Sequence, residues 1–241
     1  MAVEPMQKLL GFMRRACDQY QMIQDGDRIA VGLSGGKDSV ALLTGLVRLR
    51  GFLGPRYEVV GLSIDPCFGG EETDYAPLAG YCASLGVEHH VKRTGIGQVV
   101  FGERSEKHPC SLCARLRRGS LHDQTKELGC NKLALGHHMD DAVETFLMNL
   151  FIEGRIGCFQ PVTYLSRKDI TMIRPMALAP EKDVRRAVRS LGLPVVRSKC
   201  PADGVTRRQW AKEYLAEMER GDKGFKNRLF GAMQRKGIDG W

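Results

Sequence analysis

Long apolar runs are missing from this 241-residue sequence. None approaches the ~20 residues that a membrane-spanning helix needs. The first residues also lack a basic segment followed by an apolar core, so we expect no secretory signal, no membrane partner and a cytoplasmic location. In that compartment the eight cysteines are poor candidates for a disulfide framework. Those that cluster favour metal or sulfur chemistry instead.

Acidic residues are too few to balance the basic ones. The chain has 36 Lys and Arg against 28 Asp and Glu, a net charge of +8 and an isoelectric point near 9.1. Residues 206–241 alone hold nine basic and five acidic side chains. A surface of this sign favours a polyanion such as RNA, although a basic protein with no such partner has the same composition.

A Walker-type phosphate loop is also missing, because Asp38 stands where that pattern requires Ser or Thr after Gly-Lys. A different glycine loop is present between the apolar runs 29–33 and 40–43, with the sequence Ser34-Gly35-Gly36-Lys37-Asp38-Ser39. Paired glycines allow a tight turn and a close approach to a ligand. The first turn of the helix that follows offers N–H groups and a positive dipole end to an anion. We therefore predict a phosphate site, rather than a plain strand-to-helix turn.

Strand and helix patterns alternate along the chain. Strands are predicted near 28–33, 58–64, 87–91, 132–135, 170–178 and 194–196, with helical spacing between most of them and a looser stretch at 154–169. This order indicates an α/β fold with a doubly wound parallel sheet. We divide the chain into an N-terminal helix (1–25), a main α/β domain (26–200) and a basic helical C-terminal extension (201–241).

Cys110 and Cys113 form a CxxC motif that precedes three basic residues, Arg115, Arg117 and Arg118. Positive charge beside thiols favours thiolates. A structural zinc needs four ligands, and no second CxxC exists to complete them. A redox-active cysteine pair normally follows a strand, and residues 106–109 do not have the pattern of a strand. The third alternative is an iron–sulfur cluster with a distant extra ligand, for which Cys200 is the best candidate. Three cysteines would leave one iron of a cubane open.

Two histidines and two aspartates follow the predicted strand 132–135, in the run Gly136-His137-His138-Met139-Asp140-Asp141. Doubly wound sheets bind ligands at this edge. Carboxylates beside a nucleotide can hold Mg²⁺ through its waters. The alternative is that Asp140 or Asp141 caps a helix and the histidines lie on the surface. The spacing of Asp141 and Glu144 also predicts a capping box.

Together these motifs resemble the PP-loop ATP pyrophosphatases. Within that superfamily the chain is similar to the tRNA 2-thiolation enzymes, which make 2-thiocytidine or 2-thiouridine. The first motif alone is shared with tRNA lysidine and GMP synthetases, so the combination is the more specific signal. It spans about 25–215 and consists of 34–39, 110–118, 136–141, 173–175, 181–183 and Cys200.

The resemblance implies an ATP-dependent tRNA sulfurtransferase that adenylates the C2 oxygen of a pyrimidine, cytidine by preference, and replaces it with sulfur. It implies ATP, Mg²⁺ and a 4Fe-4S cluster as cofactors. The implied partners are tRNA, a sulfur donor (a cysteine desulfurase or free sulfide) and a second copy in a homodimer. The PP-loop domain type itself, the adenine nucleotide α-hydrolase-like fold, is implied for 26–200.

Site residues follow from the same resemblance, position by position. Catalytic roles fall on Lys37, Asp38, Asp141 and Cys200. The cluster ligands are Cys110, Cys113 and Cys200. ATP binding is expected at Ser34, Gly35, Gly36, Lys37, Asp38, Ser39, Leu62, Ile64, Gly136 and Asp141, and tRNA binding at Arg115, Arg117, Arg118, Arg207 and Arg208.

Two departures from the family patterns matter: the first concerns the cluster ligands, and the second favours the cytidine-modifying branch. Many 2-thiocytidine enzymes have a second CxxC, but Arg197 stands three residues before Cys200, which supports ligation by three cysteines. The 2-thiouridine branch has zinc-binding cysteine clusters at both ends, and this sequence has neither. The alternatives are a PP-loop ligase or amidotransferase with a structural zinc, and a non-catalytic nucleotide- or RNA-binding protein.

Overall fold

The structure, a computed structural model, describes residues 4–103, 109–196, 199–201 and 207–241. Its strands form one six-stranded sheet in the order β3-β2-β1-β4-β6-β5. Strand β5 is antiparallel to β6, and every other neighbouring pair is parallel. The bounds are β1 Asp27–Gly32, β2 Tyr57–Asp65, β3 Glu88–Arg93, β4 Lys132–Ala134, β5 Val162–Leu165 and β6 Ile170–Ile173.

Helices connect the strands and continue past the sheet to the C-terminus. They are α1 Pro5–Gln19, α2 Lys37–Leu49, α3 Ala76–Ser84, the single turn α4 Ile96–Gln98, α5 Pro109–Glu127, α6 Met139–Phe151, α7 Glu181–Leu191, α8 Arg207–Gly221 and α9 Phe225–Arg235. Short 3-10 turns span Phe68–Gly70 and Ile238–Gly240, and a π-helical turn spans Val99–Glu103. The predicted α/β fold with a helical C-terminal extension is confirmed.

The sheet is buried on both faces because successive residues of its central strand are apolar. Ile29 and Val31 of β1 belong to a large cluster that includes α1, α2, α6 and α7, whereas Ala30 belongs to a second cluster with part of α5. Alternate strand residues point to opposite faces, so helices cover the sheet on both sides. This is the arrangement of a doubly wound fold.

The N-terminal helix packs into the larger of these two clusters. Met6, Leu9 and Met13 of α1 are fully buried there together with residues of α2 and α7. Gly45 of α2 has no side chain, and the space is filled by the Met13 sulfur.

The division into 1–25, 26–200 and 201–241 stays a prediction. No helix of the described ranges is long and apolar enough to cross a membrane.

The sequence patterns predicted one strand that does not form, missed another and placed the end of a third too late. Residues 194–196 form no strand. Instead the Val196 amide donates a hydrogen bond to the Gly35 carbonyl at 2.9 Å, so this segment lies against the glycine loop. The looser stretch 154–169 contains β5, whose alternation is short and only half buried. Strand β6 also ends at Ile173, earlier than the predicted 178, because the chain turns at 174–179.

Candidate active site

The carboxyl ends of three neighbouring strands, β2, β1 and β4, border one cavity of about 410 Å³. Parallel strands place their carboxyl ends at the same edge of a sheet, where such folds bind ligands. The first turns of α2 and α6 and one side of α5 complete the wall. Its lining is Gly32, Leu33, Ser34, Asp38, Ser39, Leu62, Ile64, Ala114, Arg117, Arg118, Leu121, Leu135, Gly136, His137 and Asp141.

The glycine loop turns sharply between β1 and α2. Gly35 has φ of +81°, and a β-carbon there would lie 2.8 Å from the Val196 Cβ. Gly36 is the N-cap of α2, and its carbonyl accepts a hydrogen bond from the Ser39 hydroxyl at 2.8 Å. The Ser34 hydroxyl lies 3.2 Å from that of Ser39. Two hydroxyls and the positive end of α2 therefore face the cavity, as an anion site requires.

We expect Gly35→Ala to distort this loop. The left-handed backbone costs about 1–2 kcal/mol for a residue with a side chain, and the contact with Val196 adds to that cost. Differential scanning fluorimetry should show a decrease in Tm of about 4–8 °C, with weaker binding of phosphate ligands. Gly11→Ala in α1 is the matched control, since no atom lies within 4 Å of its added carbon. Equal Tm values for the two variants would contradict this account of the loop.

Lys37 begins α2 and is held by two carboxylates. Its Nζ lies 2.8 Å from Asp38 Oδ2 and 3.0 Å from Glu181 Oε1. Burial alone would lower the pKa of Lys37, but the hydrogen bonds with Asp38 and Glu181 outweigh it and raise that pKa. The ammonium group is therefore charged at neutral pH. Glu181 has two further cationic neighbours, Arg185 at 2.9 Å and Lys212 at 3.9 Å.

The predicted capping box between Asp141 and Glu144 was wrong, because Asp141 forms the box of α6 with His138 instead. Asp140 caps a different helix, since its Oδ2 accepts a hydrogen bond at 2.7 Å from the amide of Glu181, the first residue of α7. The N-cap of α6 is His138: its Nδ1 accepts from the Asp141 amide at 3.3 Å, and Asp141 Oδ2 accepts from the His138 amide at 2.9 Å. Burial would raise the pKa of Asp141, but the two histidines, the His138 amide and Arg208 outweigh it and lower that pKa. Asp141 is thus a carboxylate at the cavity wall.

Arg208 connects the C-terminal extension to this wall. Its Nη1 donates to Asp141 Oδ1 at 2.8 Å and to Glu144 Oε2 at 3.2 Å. Glu144 itself is buried, and that burial raises its pKa to about 7 despite Lys212 and Arg208 nearby. Sequence reasoning proposed Arg208 for RNA contact and did not foresee this pairing, because nothing in local spacing relates positions 141 and 208.

Gly136 allows the two loops of the cavity to touch. A β-carbon at this position would lie 3.1 Å from the Asp38 carbonyl carbon and 3.2 Å from the Ser39 amide nitrogen. The loop after β4 therefore packs against the first turn of α2, and Asp38 and Asp141 face the same cavity. His138 Nε2 lies 3.8 Å from Asp38 Oδ1 across this junction.

His137 follows Gly136 in the same loop and contacts the buried Arg174. No role was predicted for Arg174 from the sequence. Arg174 Nε donates to His137 Nδ1 at 3.2 Å, and the Phe159 ring lies 5.0 Å from the imidazole, with centroids 32° from coplanar. The Arg174 guanidinium lies 4.8 Å from the same Phe159 ring. Burial, with Arg174 next, lowers the pKa of His137 to about 4, so the imidazole is neutral.

The three predicted sulfur ligands come from two places in the chain. Cys110 is exposed and Cys113 buried on the first turn of α5, and the half-buried Cys200 packs against the same apolar cluster as Cys113. Burial raises the pKa of the Cys113 thiol, Arg117 lowers it, and the nearby Cys200 and Cys110 raise it further. Within the described ranges, no three His, Cys, Asp or Glu side chains converge closely enough to hold a metal as they stand.

The arginines predicted to bind RNA lie in different surroundings. Arg117 and Arg118 line the cavity, Arg115 is exposed on α5, and Arg208 pairs with Asp141. The side chain of Arg207 and all of Arg197 lie outside the described residues. Lys37 and the three cysteines are absent from the cavity lining, although Lys37 directly precedes Asp38 and Cys113 directly precedes Ala114.

A strand, a glycine loop and a helix with this geometry define a PP-loop protein, and the PP-loop domain family matches residues 8–216. A tRNA-cytidine(32) 2-sulfurtransferase from Geobacter sulfurreducens is 38% identical over 232 residues, which cover 94% of this chain and 88% of that one. The enzyme of the same name from Pelobacter propionicus is 39% identical over 208 residues, 85% of this chain and 77% of its own. The chain therefore belongs to the PP-loop family that includes these sulfurtransferases.

A solved structure shows the same fold. It is the U34-tRNA thiolase NcsA from Methanococcus maripaludis with its 4Fe-4S cluster, which superposes with a TM-score of 0.76 at 24% identity. The superposition covers 93% of this chain and 77% of that one. The resemblance to PP-loop tRNA 2-thiolation enzymes, predicted from the motifs, is confirmed at the level of the family.

Proposed function

We propose that the protein is an ATP-dependent tRNA 2-sulfurtransferase that activates the C2 oxygen of a cytidine with ATP and replaces it with sulfur. One observation carries this assignment: Arg117 lines the PP-loop cavity and lies one helical turn after Cys113 on α5. An ATP site and a group of thiols are thus joined by a single turn of helix. The names of the relatives, tRNA-cytidine(32) 2-sulfurtransferases, support the substrate.

The PP-loop residues bind and orient ATP. The hydroxyls of Ser34 and Ser39, the N-terminal end of α2 and the Lys37 ammonium attract the phosphates, while Leu62 and Ile64 of β2 offer an apolar wall to the adenine. The C2 oxygen of the pyrimidine attacks the α-phosphorus, the bond to pyrophosphate breaks, and an adenylate forms. Charge stabilisation by such preorganised groups is the main contribution a protein makes to phosphoryl transfer.

Asp38 and Asp141 fit a magnesium ion. Both carboxylates face one cavity, and Mg²⁺ prefers carboxylates, water and phosphate oxygens as ligands. When bound, the ion would neutralise phosphate charge. The Asp141 carboxylate is oriented by the His138 amide and by Arg208, so its position does not depend on the ion.

The thiols of Cys110, Cys113 and Cys200 fit a 4Fe-4S cluster as a donor set. Thiolates are the usual ligands of such clusters, and a cluster held by three of them supplies an iron with an open position for sulfur. Cys113 is buried in the same apolar cluster as Leu112 and Phe68. Burial raises the pKa of the Cys113 thiol, and the positive charge of Arg117 opposes that shift. A cysteine desulfurase or free sulfide would deliver the sulfur.

The RNA approaches from the basic side of α5 in this proposal. Arg115 and Arg118 are exposed and Arg117 is half-buried at the cavity mouth, and arginines at such a position bind phosphates. Arg207 and Arg208 of the C-terminal extension would add contacts. We further propose, from the family resemblance alone, that the protein works as a homodimer in the cytoplasm.

The nucleoside profile of tRNA tests the proposed function. Mass spectrometry should detect 2-thiocytidine in the tRNA of the parent strain and none in a strain without the gene, with restoration by a plasmid copy. Loss of a different 2-thionucleoside would reassign the substrate base. An unchanged profile would overturn the proposal in favour of a ligase, an amidotransferase or a non-catalytic RNA-binding protein.

A further inference from the structure

His137 lines the cavity, and one of its two ring nitrogens accepts a hydrogen bond from Arg174. Arg174 has no proton to accept, so its Nε can only donate, and His137 Nδ1 must be the acceptor of the 3.2 Å hydrogen bond. In a neutral imidazole the single proton then resides on Nε2. No other residue of the described part of the chain hydrogen-bonds to Nε2, and His137 belongs to the cavity lining.

The ring cannot turn freely to present the other nitrogen. Phe159 packs against the imidazole and also contacts the Arg174 guanidinium. Arg174 is only 5% exposed and is fixed by hydrogen bonds to the Gln160 carbonyl and to the Thr163 hydroxyl. Trp241 in turn donates from Nε1 to the Phe159 carbonyl at 2.7 Å and packs on the Phe159 ring. These contacts orient the imidazole before any ligand arrives.

The order of the strands indicates which part of the ligand His137 meets. Leu62 and Ile64 lie on β2, the glycine loop follows β1, and His137 follows β4, with β1 between the other two. If the adenine lies against β2 and the phosphates lie on the loop of β1, His137 lies beyond the loop. His137 is therefore placed to meet the phosphates rather than the adenine.

We propose that His137 is a further catalytic residue, a neutral Nε2–H donor to an oxygen of the α-phosphoryl group, with Arg174 as the positioning residue that holds its tautomer. This inference rests on the proposed adenylation. A fixed neutral donor stabilises the charge that develops on a phosphoryl oxygen without transferring a proton. Because burial and Arg174 lower the pKa of His137 to about 4, the imidazole would not act as an acid or base at neutral pH.

Two amide substitutions separate the two nitrogens. In His137→Gln the amide NH₂ reaches the position of Nε2 and keeps a donor in the cavity. In His137→Asn the shorter amide can only replace Nδ1, so Arg174 keeps an acceptor but the cavity loses its donor. We expect His137→Asn to lower kcat for tRNA-dependent release of pyrophosphate by about 100-fold, with KM for ATP little changed, and His137→Gln to remain within roughly tenfold of the wild type.

The tautomer itself is measurable without any turnover. The nitrogen chemical shifts of isotope-labelled histidine distinguish the Nε2–H form from the Nδ1–H form, and His137→Gln identifies the signal. We expect the Nε2–H form in the wild type and a mixture in Arg174→Lys, which keeps the charge but not the geometry of the donor. Added AMP, which carries an α-phosphoryl group, should shift the Nε2 signal, whereas adenosine should not.

Three results would overturn the inference: the Nδ1–H tautomer in the wild type, an Nε2 signal that does not respond to AMP, or equal kcat values for His137→Asn and the wild type. Failure of the proposed function would look different. In that case the wild type would release no pyrophosphate with any tRNA, while the tautomer and the AMP response would still report on His137.

Discussion

Lys37→Met should reduce ATP-dependent thiolation of tRNA by at least about 100-fold in kcat/KM, which corresponds to about 2.7 kcal/mol of transition-state stabilisation. The substitution removes the one full positive charge in the glycine loop and keeps a side chain of similar length. Phosphates that gain charge in the transition state lose their partner, so the effect should fall mainly on catalysis and ATP binding. Pyrophosphate release and 2-thiocytidine content of the tRNA are the measurements.

The variant should fold, because no carboxylate is left buried alone. Glu181, which is the less exposed of the two partners, keeps Arg185 at 2.9 Å and Lys212 at 3.9 Å, and Asp38 is about a third exposed. Lys126→Met is the matched control, since Lys126 is an exposed lysine that pairs with the exposed Asp169 at 3.2 Å. Gel-shift assays should show tRNA binding close to that of the wild type for both. Full activity of Lys37→Met would remove Lys37 from the catalytic assignment.

Most of the sheet could be predicted from the sequence because its central strands are buried on both faces. The apolar runs 29–33 and 58–64 are stable only in the interior of the protein. Gly86 and Gly129 mark where helices end before the next strands. The edge strand β5 gave no such signal. Strand β5 is four residues long and half-buried. The apolar triplet 194–196 resembles a strand, yet it packs against Gly35.

The site could be predicted where its residues are contiguous in sequence, and not where they are brought together by packing. Strand and turn patterns located 34–39 and 136–141 at the same edge of the sheet. The capping of α6 by His138 was missed because histidine is a rare N-cap, whereas aspartate is a preferred one. The contacts of Arg174 with His137 and of Arg208 with Asp141 join positions 37 and 67 residues apart, and local spacing carries no information on them.

Cys113→Ser should remove the iron and, with it, nearly all thiolation. Anaerobically purified wild type should be brown with about four irons per chain, whereas the variant should be colourless with less than one. Serine is nearly isosteric but a poor ligand for iron at neutral pH, so the loss reports ligation rather than packing. Cys200→Ser and Cys110→Ser should behave alike, because a cluster held by three thiolates cannot spare one.

Cys130→Ala is the control that separates a ligand from a buried thiol. Cys130 is as buried as Cys113, but it precedes β4 and neighbours Arg28, Glu58 and Glu88, at the end of the sheet away from the cavity. The Cys130→Ala variant should keep iron, colour and activity.

One zinc per chain in a colourless wild type would contradict the cluster and favour a structural metal. Iron that persists in Cys200→Ser would instead show that the third ligand lies elsewhere. The thiol pair of α5 would then hold the cluster with a residue not yet recognised, and Arg117 would still connect that pair to the ATP cavity.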